Sequence, residues 1–418
     1  GNKIPRVFSN TGIEYNAIVE FVREREREDD RFKIVFPRQN IKQMLERVGY
    51  PFKSKEHSQR VSEYQAKHQI RPYLQRYIDG VQMNGEKKYF QCPDILKYQF
   101  TPEWKIDVAS PNVKPLKDDS QLVYFKLGQT MGYFTEDGDV VNFITFPFKA
   151  SISDYFYTSY TANNKSAKFY SPDAKQLGTI DILGFPMMDK DRIYVFLPGG
   201  NAFAVCNQDG TKKWEYSGFS PITAFDSSAN GCVVGFADGN ITEFDTNGNI
   251  IQSFEPGGSD NSVILGAAIS NSGDYIATIS GQNKQRFVLA QKRDNQTKII
   301  FHKFIDSSHT HQELVAFSAN DEYVFYNTKN ILGVTNVNTL KNYQLKIQGH
   351  AISLKETDNC TFVLTKDKNK YKIYAIETPA TLIGSFGFEA NSAFIQTKGN
   401  ELYVGKDSTI SKILITKK

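Results

Sequence analysis

One pattern recurs along most of this 418-residue chain, and it restricts the fold more than any other feature. The segment from Val113 to Gly138 aligns without a gap onto the segment from Ile222 to Asn247, which Gly248 follows. Each reads as short apolar alternations separated by polar turns. One mid-repeat strand residue per copy gives Val123, Tyr157, Val195, Val234, Ala277, Phe325, Val363 and Val404. Their mean spacing is about 40 residues, the length of a unit of four short strands. The turns between second and third strands are polar and glycine-rich: Pro198-Gly-Gly-Asn201, Asp238-Gly-Asn240, Ser280-Gly-Gln-Asn283 and Thr328-Lys-Asn330. Those between third and fourth strands include Asp137-Gly138, Asp209-Gly210 and Asn247-Gly248. Asp-Gly and Asn-Gly between apolar runs favour two-residue hairpins, because both central positions of such a turn need positive φ.

A four-stranded meander cannot bury its apolar faces alone, so eight of them must bury one another. The expected fold is mostly β: an eight-bladed β-propeller, seven blades being the alternative count, with a small N-terminal helical module. The abundance of aromatics, 31 Phe and 22 Tyr, suits half-buried pleated surfaces. The eighth copy stops short at Lys418. An open ring would leave a bare strand edge, so the missing fourth strand is expected from ahead of the first repeat, at about residues 95–108. The expected domains are 1–92, mainly helical, and 93–418, the propeller.

The front end has a different periodicity. Helices are expected over about 13–28, 41–48 and 55–68, with a further apolar turn at 73–78 and a short strand at 32–36. Ile41, Met44, Leu45 and Val48 follow helical spacing, with Asn40 to cap the start and Gly49 and Pro51 to end it. The run Arg23-Glu-Arg-Glu-Arg-Glu28 offers ion pairs such as Arg23–Glu26 and Glu24–Arg27, which suit a solvated helix face.

The third repeat holds Ala204-Val-Cys-Asn-Gln-Asp-Gly-Thr-Lys-Lys-Trp214. This resembles the tryptophan-docking motif of quinoprotein-type propellers, in which a glycine in a tight turn precedes a tryptophan packed between blades. Ser270-Asn-Ser-Gly-Asp-Tyr275 and Phe317-Ser-Ala-Asn-Asp-Glu-Tyr323 instead resemble WD-repeat blades. Trp214 is the one tryptophan at such a position. Phe169, Phe244, Val334 or Tyr374 stand near the matching strand elsewhere. The degenerate motif resembles the non-enzymatic quinoprotein-like scaffolds, which implies an interaction role over residues 112–418.

Catalytic signatures are wanting. No adjacent cysteines of the quinoprotein dehydrogenase kind occur, and there is no phosphate loop and no nucleophile elbow. Asp118, Asp154, Asp189 and Asp226 are expected at turns, where acids bond their own backbone. No enzyme activity and no cofactor are expected. Four scattered cysteines give no zinc spacing, and only Cys206 and Cys232, in neighbouring repeats, are candidates to pair. His309 and His311, with Asp306 and Glu313 nearby, form the one candidate metal cluster.

The second-to-third-strand turns of a propeller converge on one face. The candidate partner face is Asn164, Lys165, Asn201, Asn240, Lys284, Lys329, Asn330, Lys366, Lys368, Lys370 and Lys406. Seven of these eleven are lysines, which suits an anionic protein partner. The N-terminal 80 residues carry only five excess positive charges, too few for nucleic-acid binding, and no apolar run is long enough to span a membrane. The function expected is a monomeric, non-catalytic protein–protein interaction scaffold. A carbohydrate-binding or hydrolytic propeller using the central funnel is one alternative, and a cytosolic WD-like adaptor is another. Because the chain opens on Gly1, a processed product is expected, in the periplasm or outside the cell, with the cytoplasm as the alternative.

Overall fold

The computed structural model describes residues 6–9, 16–29, 32–35, 81–83, 86–88, 98–116, 121–161, 165–293, 296–305 and 310–417. The chain divides into two compact units, Gly1–Lys97 and Tyr98–Lys417.

In the first unit, strand Arg6–Ser9 pairs in parallel with Phe32–Val35, and helix Asn16–Glu28 connects them. Val22 is the helix's buried anchor, and Glu26 reaches over to accept the Ile34 amide at 2.9 Å. The ion pair seen on the charged run is Arg25–Glu28, at 2.8 Å. Strands Val81–Met83 and Glu86–Lys88 form a hairpin. The helices expected at 41–48 and 55–68, and the apolar turn at 73–78, lie outside the described residues.

The second unit consists of eight sheets. Blades 2 to 7 are four-stranded meanders spanning residues 149–180, 185–217, 222–254, 264–304, 315–346 and 350–389. Each strand pairs antiparallel with the next, as the hairpin turns require. Blade 8 takes its first three strands from residues 393–417, and its fourth is Tyr98–Asp107. That strand pairs with Thr409–Lys417 from Asp107↔Thr409 to Tyr98↔Lys417, within the stretch of about 95–108 expected to close the ring. The ring is thereby latched by the first strand of the unit to the last, and no long edge is left at the chain end.

Blade 1 departs from the pattern. It has three strands, Leu122–Leu127, Thr130–Thr135 and Val140–Thr145. Its internal bonding shows which places they take. In whole blades, the connection leaving the fourth strand donates to the turn between strands two and three: Gly218 to Asn201, Ile305 to Gln285, Ile347 to Asn330 and Ala390 to Asn369. In blade 1, Phe146 donates in the same way to Gln129. Leu122–Leu127 therefore takes the place of a second strand. Among the described residues nothing fills the place of the first: 108–116 form no strand, and 117–120 lie outside the described residues. The count is nonetheless eight, not seven.

Alternating strand residues fill the seams between blades, as Phe203, Cys232, Val234 and Phe244 do between blades 3 and 4. No helix among the described residues is long and apolar enough to cross a membrane.

Candidate functional site

The hydrogen bonds just described also define a face. Connections from one blade to the next lie beside the second-to-third-strand turns, so both belong to the same side of the ring. Ten of the eleven candidate partner residues are described, and all ten lie at these turns. Asn164 lies outside the described residues. The seven lysines and Asn330 are exposed, while Asn201 and Asn240 are half-buried. Six of the lysines fall on blades 5 to 8, with Lys165 alone on blade 2. Lys284, Asn330 and Lys368 take φ of 56°, 57° and 57°. Left-handed backbone at a non-glycine residue survives only where the surrounding turn dictates it, so the positions of these side chains are held by the hairpins.

Blades 6 and 7 open a groove of about 700 Å³ on this face. Asn330, Gln348, Gly349, Asp367, Lys370, Tyr371, Lys372, Phe388 and Glu389 are among the residues lining it. On the other side of the blade 7 sheet, toward blade 8, the side chains are layered. Tyr371 and Phe388 stack at 5.9 Å with planes 10° apart. Lys366 Nζ lies over the Tyr371 ring at 5.3 Å, and Lys406 Nζ over the Phe388 ring at 5.9 Å. A lysine laid on a ring keeps its stem desolvated and its charge in water. Of the acids nearby, Asp407 accepts the Asn391 amide at 2.7 Å and is turned to a structural task. The arrangement can receive a flat apolar group beside carboxylates.

Inward of the groove, at the blade mouths, three donor side chains meet. Glu313 stands on the connection entering blade 6, its amide bonded to the Leu265 carbonyl of blade 5. His311 is two residues earlier, and His350 opens the first strand of blade 7. Glu313 Oε1 is 3.7 Å from His311 Nε2, and Glu313 Oε2 is 3.5 Å from His350 Nδ1. The two histidine nitrogens are 3.4 Å apart. Asn327, at the top of the second strand of blade 6, donates to Glu313 Oε2 at 2.6 Å. Gln312 reaches across the mouth to the Thr223 carbonyl of blade 4, at 2.7 Å. Sequence reasoning placed His311 with His309, which lies outside the described residues along with Asp306. It missed His350. The available signal was the period: His350 follows His311 by 39 residues, one blade on.

The opposite face carries structural chemistry. Trp214 donates to the Thr246 carbonyl at 3.1 Å, its ring against Gly248 of blade 4. Trp104 does the same on blade 1, donating to the Glu136 carbonyl at 2.8 Å beside Gly138. Trp214 is thus not the one docking tryptophan. Trp104 escaped because the other three strands of its blade lie at residues 393–417, so no glycine turn of its own repeat precedes it as Gly210 precedes Trp214. Cys206 and Cys232 line one pocket of about 320 Å³ on this side, both as buried free thiols. Burial pushes Cys206 up to about 11 and raises Cys232 further, so neither is a nucleophile at neutral pH.

Of the acids expected at turns, Asp118 lies outside the described residues, Asp154 stands at a bend and Asp189 ends a strand. Asp209 and Asp245 cap their hairpins, and the side-chain bonds they accept from Thr211 Oγ1 and Asn249 Nδ2 chiefly lower their carboxyls, with the amides of the same residues adding to it. Asp226 instead lies within the innermost strand of blade 4, Ile222–Ser228. Its carboxylate accepts the Ile269 amide of blade 5 at 2.9 Å, and desolvation pushes it up to about 7, with Asp189 adding to the rise. Asp189 binds Arg192 at 2.7 Å and accepts from Ser227 Oγ. This cluster joins three blades.

Known proteins bear on the fold. A protein of Treponema pallidum (strain Nichols), described as uncharacterized, is 27% identical over 325 residues, covering 75% of this chain and 86% of that protein. BamB from Moraxella catarrhalis superposes with a TM-score of 0.54 at 13% identity, over 76% of this chain and all of that structure. The computationally designed Ika8 protein superposes at 0.52 with 15% identity, over 74% of this chain and 99% of its own. At such identities the likeness concerns the fold alone, and a designed protein shares it as readily as a natural one. A family model described as beta-propeller protein matches residues 94–418, the span of the eight blades and their closing strand, and the chain belongs to that family.

Proposed function

We propose that this propeller is a non-catalytic protein–protein interaction scaffold, and that the groove between blades 6 and 7 receives an acidic, aromatic-bearing segment of its partner. The observation that carries the reading is the lysine-bearing rim of blade 7: Lys370 and Lys372 line the groove, and Lys366 and Lys406 lie over Tyr371 and Phe388 on its blade 8 side. Aromatic rings supply apolar area at small entropic cost, and flanking lysines steer carboxylates toward it. Lys368, Lys370 and Lys372 extend the positive rim. The resemblance to non-enzymatic quinoprotein-like propellers supports the same role. A groove of this size suits a short peptide segment better than a whole domain face, so binding is expected to be weak and salt-sensitive.

The test uses a fluorescein-labelled peptide of alternating Glu and Phe with the full chain. Polarisation should show saturable binding at low salt that weakens at least tenfold at roughly 0.5 M salt. Lys370→Glu with Lys372→Glu should abolish it. Equal binding by parent and double variant, with both folded, would remove the groove from the function.

A further inference from the structure

The geometry points to a divalent transition-metal site, best suited to zinc, formed by His311, Glu313 and His350 at the mouth of blades 6 and 7. This inference is independent of the peptide groove. Three features support it. The donor set is two imidazoles and one carboxylate, the composition of a three-ligand zinc or iron site with an open position. His311 Nε2 and His350 Nδ1 stand 3.4 Å apart and face different Glu313 oxygens, Oε1 at 3.7 Å and Oε2 at 3.5 Å, with one donor atom from each residue within 4.8 Å of the others. Ligands held about 2.0–2.1 Å from a tetrahedral zinc stand roughly 3.3–3.4 Å from one another, so small rotations bring all three onto one ion. Charge-assisted hydrogen bonds between the same groups would instead draw together to about 2.7–2.9 Å.

The second feature is burial. The Glu313 side chain is 1% exposed, which fixes its carboxylate at the base of the cluster. His311, by contrast, is 53% exposed, which leaves the ion a route in and a solvent-facing coordination position.

The third feature is support from a second layer. Asn327 donates to Glu313 Oε2 at 2.6 Å, and its amide oxygen accepts the Ala351 amide at 3.4 Å. The carboxylate is thereby oriented by a residue that is itself fixed to the strand following His350. Asn327 Nδ2 also lies 3.0 Å from His350 Nδ1. Metal loading takes that lone pair from the amide and leaves Asn327 to serve Glu313 alone. The three ligands come from two connections one blade apart, so the ion would cross-link blades 6 and 7.

The experiment uses the full chain without a histidine tag, stripped with EDTA. Zinc is titrated against a chromophoric chelator, and cobalt(II) is titrated separately with its visible absorption followed. One equivalent of zinc should bind. Cobalt should give the strong visible bands of a four- or five-coordinate site with nitrogen ligands, and zinc should displace it. His311→Ala and His350→Ala should each abolish the stoichiometric binding while circular dichroism stays that of the parent. Asn327→Ala should weaken it about 10- to 100-fold. Zinc should raise the thermal midpoint of the parent but not of His311→Ala. No saturable equivalent in the parent, or binding unchanged in both histidine variants, would overturn the assignment.

Discussion

Between blades 3 and 4 an indole closes the seam, whereas between blades 6 and 7 the corresponding place is held by a smaller ring and the seam opens on the other side. Trp214 pairs with Val205 as Tyr343 pairs with Val334, so the two rings occupy the same strand position. The neighbouring turns differ. At blade 4 the turn is Asp245-Thr-Asn-Gly-Asn249, and Gly248 at φ 88° presents no Cβ: one placed there would come within 2.7 Å of the Trp214 ring. At blade 7 the turn between the third and fourth strands is Thr378-Pro-Ala380, with no glycine to admit an indole. Gly138 and Trp104 repeat the closed arrangement where the ring joins end to end. The stacked pair Tyr371 and Phe388 belongs to the next seam, with blade 8, and each ring has a lysine over it.

The largest effect is expected at the ring closure. A chain beginning at residue 98 should unfold cooperatively, and one beginning at residue 109 should not, since it lacks the strand paired with Thr409–Lys417. It also loses Trp104 and Glu103, the latter 3.0 Å from the buried Lys412. Size-exclusion chromatography and thermal circular dichroism would decide, and a cooperative transition for the shorter chain would mean that the latch is dispensable.

Next in size, Trp214→Ala should cost about 2–4 kcal/mol in urea unfolding, with Trp104→Ala similar. Tyr343→Ala should cost less. Gly248→Ala should cost about 1–3 kcal/mol through its positive φ and its approach to the indole. Part of that cost should vanish in the Trp214→Ala background, because the clash is with the ring itself. Equal losses for Trp214→Ala and Tyr343→Ala would erase the contrast between the seams.

A smaller, pH-dependent effect belongs to Asp226. Its folded pKa of about 7 lies above the roughly 3.9 of an unfolded aspartate, so the native state holds the proton more tightly. Stability from this group is complete below about pH 4 and is lost as pH rises through 7. Asp226→Asn should flatten that part of the stability–pH curve by roughly 1–3 kcal/mol. An unchanged slope would show that the carboxyl is ionised in the fold. Smallest of all, Lys366→Ala and Lys406→Ala should change stability by no more than about 0.5 kcal/mol while weakening the acidic peptide. A large loss of stability would return those lysines to the structural side of the comparison.

Much of this was legible in the chain. The Asp-Gly and Asn-Gly turns bounded the strands, and their recurrence supplied the period, the blade count and the need for a closing strand near 95–108. Trp214 was recognisable because its glycine motif lies within its own repeat. Trp104 was not, since the rest of its blade lies at residues 393–417 and joins it only when the ring closes. Asp226 looked like a turn residue, because nothing in one sequence distinguishes a strand acid held by a neighbouring blade from one capping its own hairpin.

Sequence alone determined the repeat, the strand and turn chemistry and the location of the lysine-bearing turns, because hairpins depend on residues adjacent in the chain. Tertiary structure decided the rest. It set His350 beside His311 and Glu313, laid Lys406 on Phe388, and brought Tyr98–Asp107 to the last strand of the chain. Each of these depends on contacts between blades, made by residues far apart in the chain and brought together only when the ring packs. Local propensity carries no information about which side chains then face one another.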